Sequence, residues 1–169
     1  MAFPSKLKKS NLFQDGISFL AETKTVKLPA LKRLSEGYRG SGMSGELDSD
    51  NGHDKLELEF TLGGLVPEAI SAWGKRGVSA TQYRFAGAYE NIETGATTAV
   101  EVVIRGRCTE IDFGDAEAGK DTDHAYKVTC AYYKLIIGGR DMIEIDVLRG
   151  IEIVNGVDLT AETRAAIGA

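Results

Sequence analysis

Apolar and polar residues alternate along several stretches of the chain with the two-residue period of a strand that has one dry face and one wet face. The cleanest stretch places Leu56, Leu58, Phe60 and Leu62 on one side and Lys55, Glu57, Glu59 and Thr61 on the other. Leu56, Leu58 and Phe60 are therefore predicted core residues, beneath an acidic outer face. Near the start, Ile17, Phe19 and Ala21 alternate with Ser18 and Glu22 after the turn signal Gln14-Asp15-Gly16, which predicts a first strand. Thr81–Ile92 and Thr97–Ile111 flank Glu93-Thr94-Gly95-Ala96, a hairpin connection of ordinary length. Asp123–Ile137 and Asp141–Leu148 flank Gly138-Gly139-Arg140, where glycine relieves the cost of a positive φ, and Gly150–Val154 predicts a last strand. Runs this long exceed the usual ~5–6 residues, so the sheets have long edges. Unpaired N–H and C=O groups at such edges recruit other chains, which in an obligate assembly is their purpose.

Helical signals are few. Gly63-Gly64 ends the Leu56–Leu62 strand, Pro67 suits a first helical position, and Glu68 sits where the helix dipole favours an anion. Ile70 and Trp73 share a face, and Lys75 and Arg76 precede Gly77, so a short helix is predicted over Val66–Arg76 with Trp73 packed into the core. A second helix is predicted over Thr160–Ile167, although Glu162 falls one position early for a capping box with Thr160. Gly40–Asp54 is glycine-rich, acidic and without periodicity, and reads as a long loop that binds something or stays disordered. The pattern describes an antiparallel β protein with little helix, in one domain spanning 1–169.

Composition agrees with a folded domain: apolar residues make up 43% and charged residues 27%, ordinary globular values. No apolar run approaches the ~20 residues needed to cross a bilayer. Met1–Leu12 lacks the apolar segment of a secretory signal, which predicts that the chain stays where it is made. Charge is uneven. Residues 1–40 hold eight Lys/Arg against three Asp/Glu, while residues 41–169 hold twelve against twenty-two. A solvated surface with an excess at one end explains this, and so does a basic head that meets the acidic body of a neighbouring copy.

Catalytic and ligand-binding chemistry finds little support. Cys108 and Cys130 are too few and too far apart for a disulfide framework or zinc ribbon, and read as buried strand thiols. His124 and Cys130 share a strand face but stand roughly 20 Å apart, far beyond the reach of a base activating a thiol. His53 reads as a loop histidine, with nothing local to join it to Cys108. Asp48-Ser49-Asp50-Asn51-Gly52 resembles the start of a calcium loop, but Glu59, at the position of the bidentate ligand, falls inside a strand. Gly37–Gly42 lacks the Gly-Lys-Ser/Thr ending of a phosphate loop, and the acidic balance disfavours tight nucleic-acid binding. No cofactor, metal or catalytic residue is predicted.

The stretch Glu36-Gly37-Tyr38-Arg39-Gly40-Ser41-Gly42-Met43 stands apart. It resembles the YRGxGM segment of the major tail tube proteins of contractile-tailed bacteriophages, which also build the tube of R-type pyocins. In the same order along the chain, Asn11-Leu12-Phe13-Gln14-Asp15-Gly16 resembles that family's NLFxDG and Leu28-Pro29-Ala30-Leu31 its LPxL. Arg84-Phe85-Ala86-Gly87, Ile104-Arg105-Gly106-Arg107, Tyr132-Tyr133-Lys134-Leu135, Glu144-Ile145-Asp146 and Val154-Asn155-Gly156-Val157-Asp158 extend the likeness over nearly the whole chain.

The resemblance implies a small β-barrel or sandwich of two antiparallel sheets with a helix at its side, an N-terminal arm over 1–16 and an extended loop over about 37–54. It further implies hexameric rings that stack into a hollow tube in the virion, around a tape-measure protein, inside a contractile sheath, with baseplate and tail-terminator proteins at the ends. DNA would pass the lumen without specific binding, and an acidic lumen would help it do so. Leu12 and Phe13, together with Tyr38, Arg39, Gly40, Gly42 and Met43, are expected at contacts with the adjacent subunit or the next ring. A monomeric β-barrel that binds a small ligand or carbohydrate is the competing reading, and a hydrolase the third.

Overall fold

The protein, in a computed structural model, is described over residues 2–169. In chain order the elements are β1 (Ser5–Gln14), β2 (Ile17–Ser18), β3 (Thr23–Lys27), β4 (Arg33–Tyr38), β5 (Leu47–His53), β6 (Leu56–Leu62), α1 (Pro67–Ile70), β7 (Thr81–Asn91), β8 (Thr97–Asp112), β9 (His124–Ile137), β10 (Arg140–Asp146), β11 (Ile151–Val154), β12 (Val157–Asp158) and α2 (Ala161–Ala166). They form two antiparallel sheets. Ten strands make one ladder in the order β12-β11-β10-β9-β8-β7-β1-β2, with β6 also on β9 and β3 on β6, while β4 and β5 pair only with each other.

The large sheet turns over at β9. Its first half pairs with β6, from Leu62 opposite His124 to Leu56 opposite Cys130, and its second half pairs with β10, from Tyr132 onward. Between these halves, Gly106 of β8 faces Cys130 and Arg105 faces Tyr132, so Ala131 is an extra residue. A bulge of this kind bends its strand and sharpens the twist. The free carbonyl of Ala131 accepts a hydrogen bond from the Val147 N–H at 3.0 Å. Glycine is required opposite the bulge, because a Cβ on residue 106 would lie 2.4 Å from the Thr129 carbonyl oxygen.

Folding the sheet over itself brings β6 against β7 although two strands separate them in the ladder. Phe60 lies 5.7 Å from Tyr83 and stacks on Tyr126 at 4.9 Å. Around this aromatic group Leu12, Leu56, Leu58, Leu62, Val102 and Val128 are fully enclosed. Each such side chain contributes roughly 1.5–3 kcal/mol of hydrophobic stabilisation. Leu56, Leu58 and Phe60 thus occupy the core, as their alternation predicts.

The ladder does not close into a barrel, and the architecture is a sandwich. Between β1 and β3 the chain turns instead of pairing: the Phe19 N–H donates to Leu12 O at 2.8 Å, and the Gly63 N–H to Glu22 O at 2.7 Å. The predicted first strand is correspondingly short. Only Ile17 and Ser18 pair with β1, after which Phe19 turns its ring into the core. The expected N-terminal arm is mostly a strand, since β1 pairs with β7 along its length; Met1 lies outside the described residues.

The predicted Val66–Arg76 helix also contracts, to α1. Ala69 on the helix and the flanking Val66 and Ala72 form a buried stripe at three-residue spacing. Ser71 Oγ donates to the Glu68 carbonyl at 2.5 Å, and Gly74 and Gly77 at φ 79° and 106° carry the chain away. Trp73 falls off the buried stripe. It is 56% exposed, which corrects its assignment to the core.

Candidate self-assembly interface

Several strand margins lack ladder partners among the described residues, among them the outer side of β3, which pairs only with β6. On one side β1 pairs with β7, but on the other it meets β2 only at Phe13 and Gln14. Its open stretch carries Lys6, Lys8 and Lys9, with Leu7 exposed between them. Lysines on an open edge discourage indiscriminate pairing while leaving it available to an acidic partner. The β7 ladder ends at Gly106, so Arg107–Asp112 of β8 has no partner on that side, and acidic Asp115, Glu117, Asp121 and Asp123 follow it. At the opposite margin, β12 is two residues long and leaves Val157 exposed.

A further open element is the β4–β5 hairpin, which corrects the expectation of a loop over about 37–54. Only Arg39–Glu46 is irregular. At its tip Tyr38 pairs across the strands with Leu47, and each is 65% exposed. Between them the Met43 N–H donates to Gly40 O at 3.2 Å, Met43 Sδ accepts from the Gly40 N–H at 3.0 Å, and Gly42 takes φ 86°. The glycine spacing of Tyr38-Arg39-Gly40-Ser41-Gly42-Met43 therefore builds a tight turn that holds Tyr38 and Arg39 in solvent. An exposed Tyr–Leu pair is apolar surface that contributes most when a partner covers it.

Of the two residues expected from the amino-terminal motif, only Phe13 keeps a solvent-facing role. It is half-buried, with the Arg84 guanidinium 4.3 Å above its ring. Leu12 points the opposite way along the strand and is completely buried, so it belongs to the core of its own chain.

The outward face of β7–β10 carries charges that are matched in place. Arg84 donates to Glu101 at 2.9 Å, Lys134 lies 3.1 Å from Asp141, Arg105 covers the Tyr132 ring at 4.1 Å, and the Tyr132 hydroxyl donates to Glu144 at 2.9 Å. The Lys134 ammonium is held above the ordinary lysine range by its hydrogen bond to Asp141.

The residues weighed for catalysis are accounted for by structure. Burial raises both thiols, Cys130 up to about 12, so they stay protonated and poorly nucleophilic. His124 packs edge-on against Phe113 at 5.0 Å. Asp48–Gly52 is part of β5, where Asp50 accepts from the Gly52 N–H at 2.9 Å and faces Arg33. Among the described residues no group of three or more His, Cys, Asp or Glu is placed to hold a metal ion. Nor, among the described residues, is any helix long and apolar enough to cross a membrane.

Two contributors escaped the sequence reading. Leu47 lies in an acidic stretch whose strand is solvated on both faces and so shows no alternation. Glu152 sits between Ile151 and Ile153, where alternation would turn the carboxylate out, yet it is the glutamate that is buried.

Comparison with known proteins follows this geometry. The chain matches the family model described as phage tail tube protein FII over residues 4–168. It is 44% identical to the tail tube protein of Escherichia phage P2, covering 99% of each chain. It is 37% identical to the major tail tube protein of Serratia phage KSP20, over 94% of this chain and 92% of that one. In fold it is similar to a chain of the PVC sheath–tube complex of an extracellular contractile injection system, with a TM-score of 0.58 over 80% of this chain and 91% of the other at 8% identity. The chain therefore belongs to the phage tail tube protein FII family.

Proposed function

We propose that this tail tube protein assembles into hexameric rings that stack into the hollow inner tube of a contractile tail, and that the β4–β5 hairpin reaches across to a neighbouring copy. The observation that carries this reading is the hairpin itself: two strands that, among the described residues, pair only with each other and hold Tyr38 and Leu47, each 65% exposed, at the tip. Within a ring, the lysine-bearing margin of β1 and the acid-flanked margin of β8 give complementary edges for a sheet that continues from copy to copy. Closing the circle satisfies the open edges and removes their aggregation hazard.

The tube would grow around a tape-measure protein and lie inside a sheath, bounded by baseplate and terminator proteins. The face of β7–β10 suits a lumen through which DNA passes, because phosphate affinity comes largely from free Lys and Arg. On that face Arg84 and Lys134 already hold carboxylates and Arg105 lies on Tyr132.

Tyr38→Ala combined with Leu47→Ser tests the hairpin's part. Light scattering and negative-stain microscopy should show filaments lost or slowed about tenfold or more, with the unfolding midpoint of the isolated subunit unchanged. Tubes growing at the parental rate would refute it. The competing ligand-binding reading predicts a monomer indifferent to both substitutions.

A further inference from the structure

Because the hairpin has no ladder to the large sheet, something else must fix its direction. Arg33 and His53 stand opposite each other at its base, one on each strand. Both turn to the same group, the Glu152 carboxylate on β11. Arg33 Nη2 donates to Glu152 Oε1, and His53 Nε2 lies 3.3 Å from Glu152 Oε2 without the alignment of a hydrogen bond. The Glu152 side chain is 9% exposed, against 41% for Arg33 and 19% for His53. Its strand is pinned in turn, since the Glu152 N–H donates to Thr160 Oγ1 at 3.2 Å and Glu152 O accepts from the Leu159 N–H at 2.8 Å.

We propose that Glu152 is a positioning residue for assembly: one buried carboxylate clamps both strands of the β4–β5 hairpin at their base and sets the angle at which Tyr38 and Leu47 are presented to the next copy. A buried carboxylate that takes a charge-assisted hydrogen bond from Arg33 and packs against the His53 ring holds geometry better than surface pairs such as Lys32 with Asp54, which stand 3.9 Å apart and well exposed. Asp50, 3.5 Å from Arg33, supports the guanidinium from the hairpin side. The clamp works at a distance, because it lies at the base while the contact surface is at the tip. Its role rests on the hairpin reading above.

The test is Glu152→Gln, which keeps the shape and removes the charge, with Arg33→Gln as a second variant that removes the guanidinium instead. Lys75→Gln, which breaks the exposed pair with Asp15 at 3.2 Å and touches neither the hairpin nor β11, serves as the control. Hydrogen exchange on the unassembled subunit should show amides 47–53 exchanging about tenfold or more faster in both clamp variants, with β8 and β9 amides unchanged. Assembly followed by light scattering should slow in the same two variants and not in the control. Parental exchange in the hairpin would overturn the clamp. Faster exchange with parental assembly would overturn its role in assembly, and only the Tyr38 and Leu47 variants decide whether the hairpin contacts a neighbour at all.

Discussion

Replacing Gly106 with alanine perturbs the point on which the sandwich turns. The new Cβ would stand 2.4 Å from the Thr129 carbonyl oxygen and 2.8 Å from Val128 Cγ1, where ordinary contact begins near 3.4 Å. The nearer atom is backbone, so no side-chain rotation relieves the clash. Either β8 and β9 separate by about 1 Å at the bulge or the bulge moves. Overpacking of this kind costs roughly 1–3 kcal/mol. Alanine also narrows the unfolded ensemble, which returns about 0.4–1 kcal/mol. A net loss of roughly 1–2 kcal/mol remains, and in a chain of this length each kcal/mol moves the thermal midpoint by about 2–4 °C. Urea denaturation of the unassembled subunit, followed by circular dichroism, measures it. Gly45→Ala is the comparison, because that residue has no positive φ and nothing within 4 Å of the added atom. If Gly106→Ala leaves the midpoint unchanged, the tight approach does not hold the bulge and the account of why β9 changes partner fails.

Three further outcomes are expected. Leu58→Ala, at a completely buried site, should cost about 2–5 kcal/mol in the same denaturation experiment. Trp73→Ala should change stability by no more than about 0.5 kcal/mol, whereas the loss of several kcal/mol typical of a buried aromatic would return Trp73 to the core. Asp158 is held below its ordinary 3.8 chiefly by hydrogen bonding to Arg164, so its contribution is complete above the unfolded value and is lost as pH falls through the depressed folded one. Hydrogen exchange should therefore find α2 docked at pH 5 and loosening only below about 3.8; loosening nearer neutrality would contradict the pairing.

Where one strand face is dry and the other wet, the sequence discloses the structure. β6 through β11 follow from alternation to within a residue or two, because burial forces period-two patterning on any half-covered strand. Gly40–Asp54 reads as a loop for the converse reason: Leu47–His53 is mostly solvated on both faces and carries no alternation. Trp73 was misplaced because Pro67, Glu68 and Lys75 describe a longer helix than tertiary packing allows, and Val66, Ala69 and Ala72 take the inner stripe. The motif around Tyr38 and Arg39 lies at the hairpin tip, while the hairpin's base could not be read, since Glu152 meets Arg33 and His53, distant in sequence.

Electron microscopy of the purified chain, with the symmetry determined and strands traced between copies, tests the self-assembly account most directly. The account predicts a hollow tube of stacked six-membered rings in which the β1 and β8 margins meet strands of neighbouring copies and Tyr38 and Leu47 are covered. Copies that pack without any continuation of their sheets, or a hairpin tip left in solvent within the finished tube, would contradict it.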